Sequence, residues 1–185
     1  MFSARTRALI LLGAGAAAML VPPAGRAVGG RYAFAGGTPR QQSEVRRALA
    51  ASTFDWSVVP ARITINIAPV PTSFAVPGAI WLDTALLNAG VMAWGVVQHE
   101  YAHQVDFFVL DDGSRSFLQR ELAATAWCPD VQVGRDSLGC ERFASAVAWA
   151  YWPSADNVMR AAVPRALSAT RFRGLVKTVL SEGGH

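Results

Sequence analysis

The sequence predicts an α+β fold, with a small mixed sheet in the N-terminal part and a helical C-terminal half. Three observations carry this. Ile63, Ile65 and Ile67 alternate with Arg62, Thr64 and Asn66, the period of a half-buried strand. From Val91 onward the apolar residues recur mainly at helical spacing. The chain has 185 residues and is 52% apolar, enough for one core and too little for two comfortable ones.

In chain order, Arg5 and Arg7 precede an uncharged run, Ala8 to Val21, which Pro22 and Pro23 break before the small residues Ala24, Gly25 and Ala27. This is the pattern of a secretory leader, expected to occupy residues 1–27 with cleavage after Ala27. The run is shorter than the roughly 20 residues that a membrane span needs. An uncleaved N-terminal anchor is the alternative. Three of the 17 basic residues and none of the 13 acidic ones fall in the leader, so the mature chain carries a net charge of only +1. The pI near 9.7 therefore gives no reason to invoke nucleic acid, and no stable membrane span is expected once the leader is gone.

Glycine-rich residues 28–38 are expected to form a flexible mature N-terminus, and 39–185 the single domain. Thr38-Pro39 reads as an N-cap followed by proline at the first helical position. That helix should continue to about Ala51, with Val45, Ala48, Leu49 and Ser52 on one side. The isoleucine strand follows Pro60, and Pro69, Pro71 and Pro77-Gly78 punctuate a loop. Ala79-Ile80-Trp81-Leu82 can form another strand, after which Asp83 or Thr84 caps a short helical turn. A helix from Val91 to about Leu110 should bury Val96, Val97, Tyr101, Val105 and Phe108. Asp111-Asp112-Gly113 ends it, and Ser114 to about Trp127 should be helical again. A strongly apolar helix is expected from Gly139 to Trp152, then a last one from Ser154 to Leu180 with a kink at Pro164. The tryptophans are most simply core residues.

Cys128 and Cys140 are the only cysteines. In an exported chain such a pair points to a disulfide, contributing about 3 kcal/mol for a loop of this length. Two buried thiols are the alternative.

The string that carries chemistry is His99-Glu100-Tyr101-Ala102-His103. Histidines four apart on a helix lie about 40° apart in projection, so both imidazoles can face one ion. Neutral imidazole suits zinc, and Glu100 flanks the same face, where its carboxylate can take a proton from a water at the metal. The chain has three histidines in all, and the third, His185, is its last residue. A catalytic zinc needs a third protein ligand. No histidine follows at metzincin spacing, so a downstream carboxylate is expected. Glu141 is preferred because it opens a helix too apolar to be exposed; Glu121 is the rival. Each has a plainer reading, Glu141 as a first-turn glutamate favoured by the helix dipole and Glu121 as a surface ion-pair residue. Asp106, seven residues after His99, fits a buried-edge salt bridge with an arginine better than a place beside the metal.

The HExxH motif with its preceding apolar segment, Gln104-Val105-Asp106, and the later Glu141-Arg142-Phe143-Ala144 resemble the gluzincin branch of zinc metallopeptidases, above all minigluzincins and the catalytic domain of anthrax lethal factor-like proteases. The resemblance covers about residues 79–152. It implies a zincin-like fold with an active-site helix, and one zinc ion held by His99, His103 and Glu141 with Glu100 as general base. It also implies a sheet edge at Ala79–Leu82 along which a peptide or protein substrate pairs. The chain departs from the family at Ser145, where an acidic residue often supports the first zinc histidine. Tyr151, Arg135 and Arg142 are the candidates for stabilising an oxyanion. The resulting expectation is a secreted zinc metallopeptidase; a secreted, non-catalytic zinc-binding module for protein recognition is the alternative.

Overall fold

A computed structural model describes residues 30–128 and 137–182. The expected leader, its cleavage point, Arg135 and His185 lie outside them. The architecture is α+β, with one mixed four-stranded sheet and six α-helices among the described residues. No helix of the described residues is long and apolar enough to cross a membrane.

The first strand, β1 (Tyr32–Gly36), falls where a flexible N-terminus was expected. It pairs in parallel with β2 (Ile63–Ala68), from Tyr32 against Ile63 to Gly36 against Ile67. The glycines that suggested mobility serve close approach instead. Gly36 and Gly37 adopt φ of 75° and 73°, and a Cβ on either would lie 2.7 Å from Ile67 atoms. Helix α1 (Pro39–Ala51) begins as expected. Thr38 accepts from the Gln41 N–H, and the Gln41 side chain accepts from the Thr38 N–H, a reciprocal capping box. Val45, Ala48 and Leu49 are buried, whereas Ser52 is only half-buried.

In β2 the isoleucines are buried and the residues between them are not, as the alternation requires. The proline-punctuated stretch that follows contains a short strand that periodicity did not reveal, β3 (Phe74–Val76). It pairs antiparallel with β4 (Ala79–Asp83) through a turn in which Pro77 precedes Gly78 at φ 82°. The sheet order is β1-β2-β4-β3. The edge expected at Ala79–Leu82 is therefore displaced by one strand: β4 is interior and β3 is the edge, because three residues are enough to occupy the outer side of β4.

Asp83 caps α2 (Thr84–Asn88), accepting from the Ala85 and Leu86 N–H groups. A 3-10 turn at Gly90–Ala93 leads into α3 (Trp94–Phe108). This helix is buried from Val97 to Asp106, not along one stripe. Phe108 in its last turn is exposed and Val96 half-buried, contrary to the expected stripe. Helix α4 (Asp112–Glu121) is capped by Asp111 and stops six residues short of Trp127. Its end carbonyls explain the stop: Arg142 donates to Leu122 O and Ala123 O, with Ala123 at a left-handed φ of 52°. Helix α5 (Gly139–Tyr151) packs on α3, and Cys128 and Cys140 form the expected disulfide beside its first turn.

The last segment is not one kinked helix. A 3-10 turn at Val158–Ala162 precedes α6 (Ala169–Glu182). The break lies at Asn157, whose buried amide donates to Ala148 O and Trp152 O and accepts from the Met159 N–H, diverting the chain across α5. This crossing needs Gly95: a Cβ there would lie 2.8 Å from Asn157 Oδ1 and 3.2 Å from Met159. Gly95→Ala is accordingly expected to destabilise the fold by about 1–3 kcal/mol despite better helix propensity, read as a lower midpoint in thermal unfolding.

Candidate metal centre

Helix α3 supplies three of the four chemically important side chains, and α5 the fourth. The i,i+4 spacing brings His99 Nε2 and His103 Nε2 to 3.2 Å of one another, with both residues buried. Two lone pairs cannot face each other at that distance in a dry setting; a proton or a cation must sit between them. The Glu100 carboxylate belongs to the same group, with one ligand atom from each of the three residues lying within 4.8 Å of the others. His99, Glu100 and His103 are therefore positioned to bind a metal ion.

Glu141, in the first turn of α5, completes the cluster from the opposite side. Its carboxylate lies 3.3 Å from His99 Nε2 and 3.9 Å from His103 Nε2. Bonds of about 2.0–2.1 Å in a tetrahedral site place neighbouring ligand atoms about 3.3 Å apart. The His99–His103 and His99–Glu141 separations match that spacing, and the His103–Glu141 separation, to the other carboxylate oxygen, is longer at 3.9 Å. The chemistry of the three groups, two neutral nitrogens and one carboxylate, is also that of a three-ligand site with a fourth position left open. Glu121 does not take part in this way; it forms a 2.8 Å ion pair with Arg171 between α4 and α6.

Ser145 lies one helical turn after Glu141 and reaches the first histidine of the cluster. Its Oγ is 3.1 Å from His99 Nδ1, and the residue is buried. If Nε2 is to present a lone pair to a metal, Nδ1 must carry the proton and donate it to Ser145. A hydroxyl thus does what a carboxylate could do, with the same tautomer but less electron donation to the ring.

Asp106 keeps away from the cluster and forms the arginine salt bridge expected of it. Its Oδ1 accepts from Arg115 Nε at 2.9 Å and Trp127 Nε1 at 3.0 Å. Burial still pushes its carboxyl above the usual range, partly offset by those two donors. The two described oxyanion candidates, Tyr151 and Arg142, make other contacts. Tyr151 sits ten residues after Glu141, about 15 Å along α5, with its ring edge-on to Phe54. Arg142 is engaged by the α4 carbonyls. Tyr101, inside the motif, faces the core instead: burial raises its hydroxyl pKa, and the hydroxyl has no hydrogen-bond partner among the described residues.

Sequence reasoning missed two polar residues that build this region. Ser145 was read as a departure, and Gln104 only as part of a motif-following tripeptide. For Ser145 the available signal was its placement, a polar residue four positions after Glu141 on a helix otherwise too apolar to be exposed; for Gln104, on the polar-rich α3, the sequence carried no comparable signal.

Comparison of the chain with protein-family models, curated proteins and solved structures finds no match. The site is therefore read from its own geometry. Ser145→Ala should lower the affinity of the site for a divalent metal by about 10–100-fold, measured with zinc by competition with a chromogenic chelator, while far-ultraviolet circular dichroism stays unchanged.

Proposed function

We propose that this protein is an exported zinc metallopeptidase of zincin-like fold, with His99, His103 and Glu141 as ligands of one zinc ion and Glu100 as general base. The observation that carries the reading is the convergence of two imidazole nitrogens and a carboxylate at 3.2–3.9 Å beside a second, buried carboxylate. A carboxylate adjoining the two imidazoles is what the proton transfers of hydrolysis need, which favours hydrolysis over the binding-only alternative.

Zinc bound there supplies a Lewis acid that polarises a carbonyl and lowers the pKa of water to about 7. The protein's own groups do the rest. Glu100 accepts the proton of the attacking water as its oxygen bonds to the scissile carbonyl carbon, then returns that proton to the departing amine as the carbon–nitrogen bond breaks. Ser145 holds the His99 ring in the orientation and tautomer that a ligand needs. An extended substrate has a natural support in β3, whose outer side carries no strand among the described residues. Export is supported by the apolar run after Arg5 and Arg7 and by the Cys128–Cys140 disulfide, which suits an oxidising compartment.

Glu100→Gln should retain about one zinc per chain by elemental analysis and lose hydrolysis of a quenched-fluorescence peptide library by about 10²–10⁴-fold. Hydrolysis that survives in a metal-free His99→Ala protein would rule the mechanism out. For the third ligand, Glu141→Gln should shed zinc and Glu121→Gln should keep it; the reverse outcome transfers the role to Glu121.

A further inference from the structure

We propose that Gln104 is a positioning residue that holds the peptide-binding edge of the sheet at a set distance from the metal-bearing turn of α3. The proposal rests on the peptidase reading and adds a residue to it.

Gln104 is fully buried, and its amide is used on both sides. Oε1 accepts from the Gly78 N–H at 2.9 Å, while Nε2 donates to Val76 O at 3.0 Å and Ala79 O at 3.3 Å. These three backbone groups surround the turn that joins β3 to β4. One planar amide thus clamps the hairpin at its tip, and it follows His103 directly in the chain. The step from imidazole to amide is a single residue of rigid helix, so the spacing between edge and site does not depend on a loop.

The hairpin needs such a clamp. β3 pairs with β4 at only three positions, Phe74 to Trp81, Ala75 to Ile80 and Val76 to Ala79. So short an edge strand opens easily when nothing else holds it. At its other end the strand is held by Ser73, whose Oγ accepts from the Asp83 N–H at 3.1 Å, while Ala75 packs against the core and Phe74 stacks on Trp81 with centroids 4.9 Å apart; near the turn Val76 remains exposed, and Gln104 is what holds it. A substrate strand added to β3 gains orientation over the metal only if β3 itself is held there. Loss of the clamp should weaken the grip on a long peptide without altering the ligands or Glu100.

The test uses the full-length mature protein loaded with zinc and two probes that share one scissile bond: a quenched-fluorescence octapeptide chosen by library profiling, and a blocked dipeptide amide too short to pair with β3. Gln104→Met should raise KM for the octapeptide about tenfold or more with kcat within about twofold, because binding common to ground and transition states is lost. The dipeptide amide and the zinc content should be unaffected. Gln104→Glu keeps the acceptor for Gly78 and loses both donors. It should shift KM in the same direction and serves where the Met variant does not fold. Amide hydrogen exchange supplies a readout independent of turnover: the Gly78 N–H should lose protection in the Met variant and keep it in the Glu variant. Equal losses on both probes, or an unchanged octapeptide KM, would overturn the role of Gln104 while leaving the peptidase standing. A zinc-loaded wild type that cleaves no peptide would overturn the peptidase reading, and this role with it.

Discussion

Helix α3 is buried along ten consecutive residues, yet six of them are polar: Gln98, His99, Glu100, His103, Gln104 and Asp106. A buried polar group left without a partner costs about 1–3 kcal/mol, more if it is charged. So dense a set on one helix would unfold a marginally stable domain unless nearly every member were answered. The surrounding fold can be read as the set of answers. Gln98 donates to Ala48 O of α1, though its Oε1 has no hydrogen-bond partner among the described residues; His99 meets Ser145 and Glu141 of α5, and Gln104 takes the β3–β4 turn. Asp106 is met by Arg115 of α4 and by Trp127. At the candidate metal centre the answer is a converging set of lone pairs, which a cation or a proton would satisfy.

The position of Glu141 follows from the same logic applied to the start of α5. The Cys128–Cys140 disulfide ties this turn to the preceding loop, with Cα atoms 5.7 Å apart. Beside it, Gly139 lies so close to Trp127 that a Cβ would come within 2.5 Å of the indole, and the indole nitrogen donates to Asp106 on α3. A continuous path of contacts therefore runs from α3, through Asp106 and Trp127, to Gly139, two residues before Glu141. Further along α5 many of the buried side chains are small (Ala144, Ser145, Ala146, Ala148), among them the serine whose hydroxyl reaches the His99 imidazole on α3. The Glu141 carboxylate is thus held beside the two imidazoles by packing alone, the preorganisation that the proposed metal site would need.

Much of this was legible in the chain because it is local. The capping box at Thr38 and Gln41, the alternation through Ile63–Ile67, Asp83 as a helix cap and the i,i+4 histidines all depend on residues within a turn or two of each other. The errors share a different cause. β1 was hidden because Gly36 and Gly37 look like flexible punctuation until Ile67 of another strand presses against them. β3 was hidden because three residues between prolines carry no readable period, and that omission misplaced the edge of the sheet. The break before α6 was hidden because Asn157 acts on carbonyls from the end of α5.

What the sequence determined by itself is the helix that carries His99, Glu100 and His103, since 3.6 residues per turn leaves their common face no freedom. It also narrowed the fourth group to two carboxylates, Glu121 and Glu141, without separating them by more than the apolar character of the surrounding helix. Only the tertiary structure brought Glu141 within 3.3 Å of His99 and sent Glu121 to Arg171, because those distances depend on how α3, α4, α5 and α6 pack across more than forty residues of chain. Spacing along a helix is a property of the backbone, whereas the partner of a side chain is a property of the core.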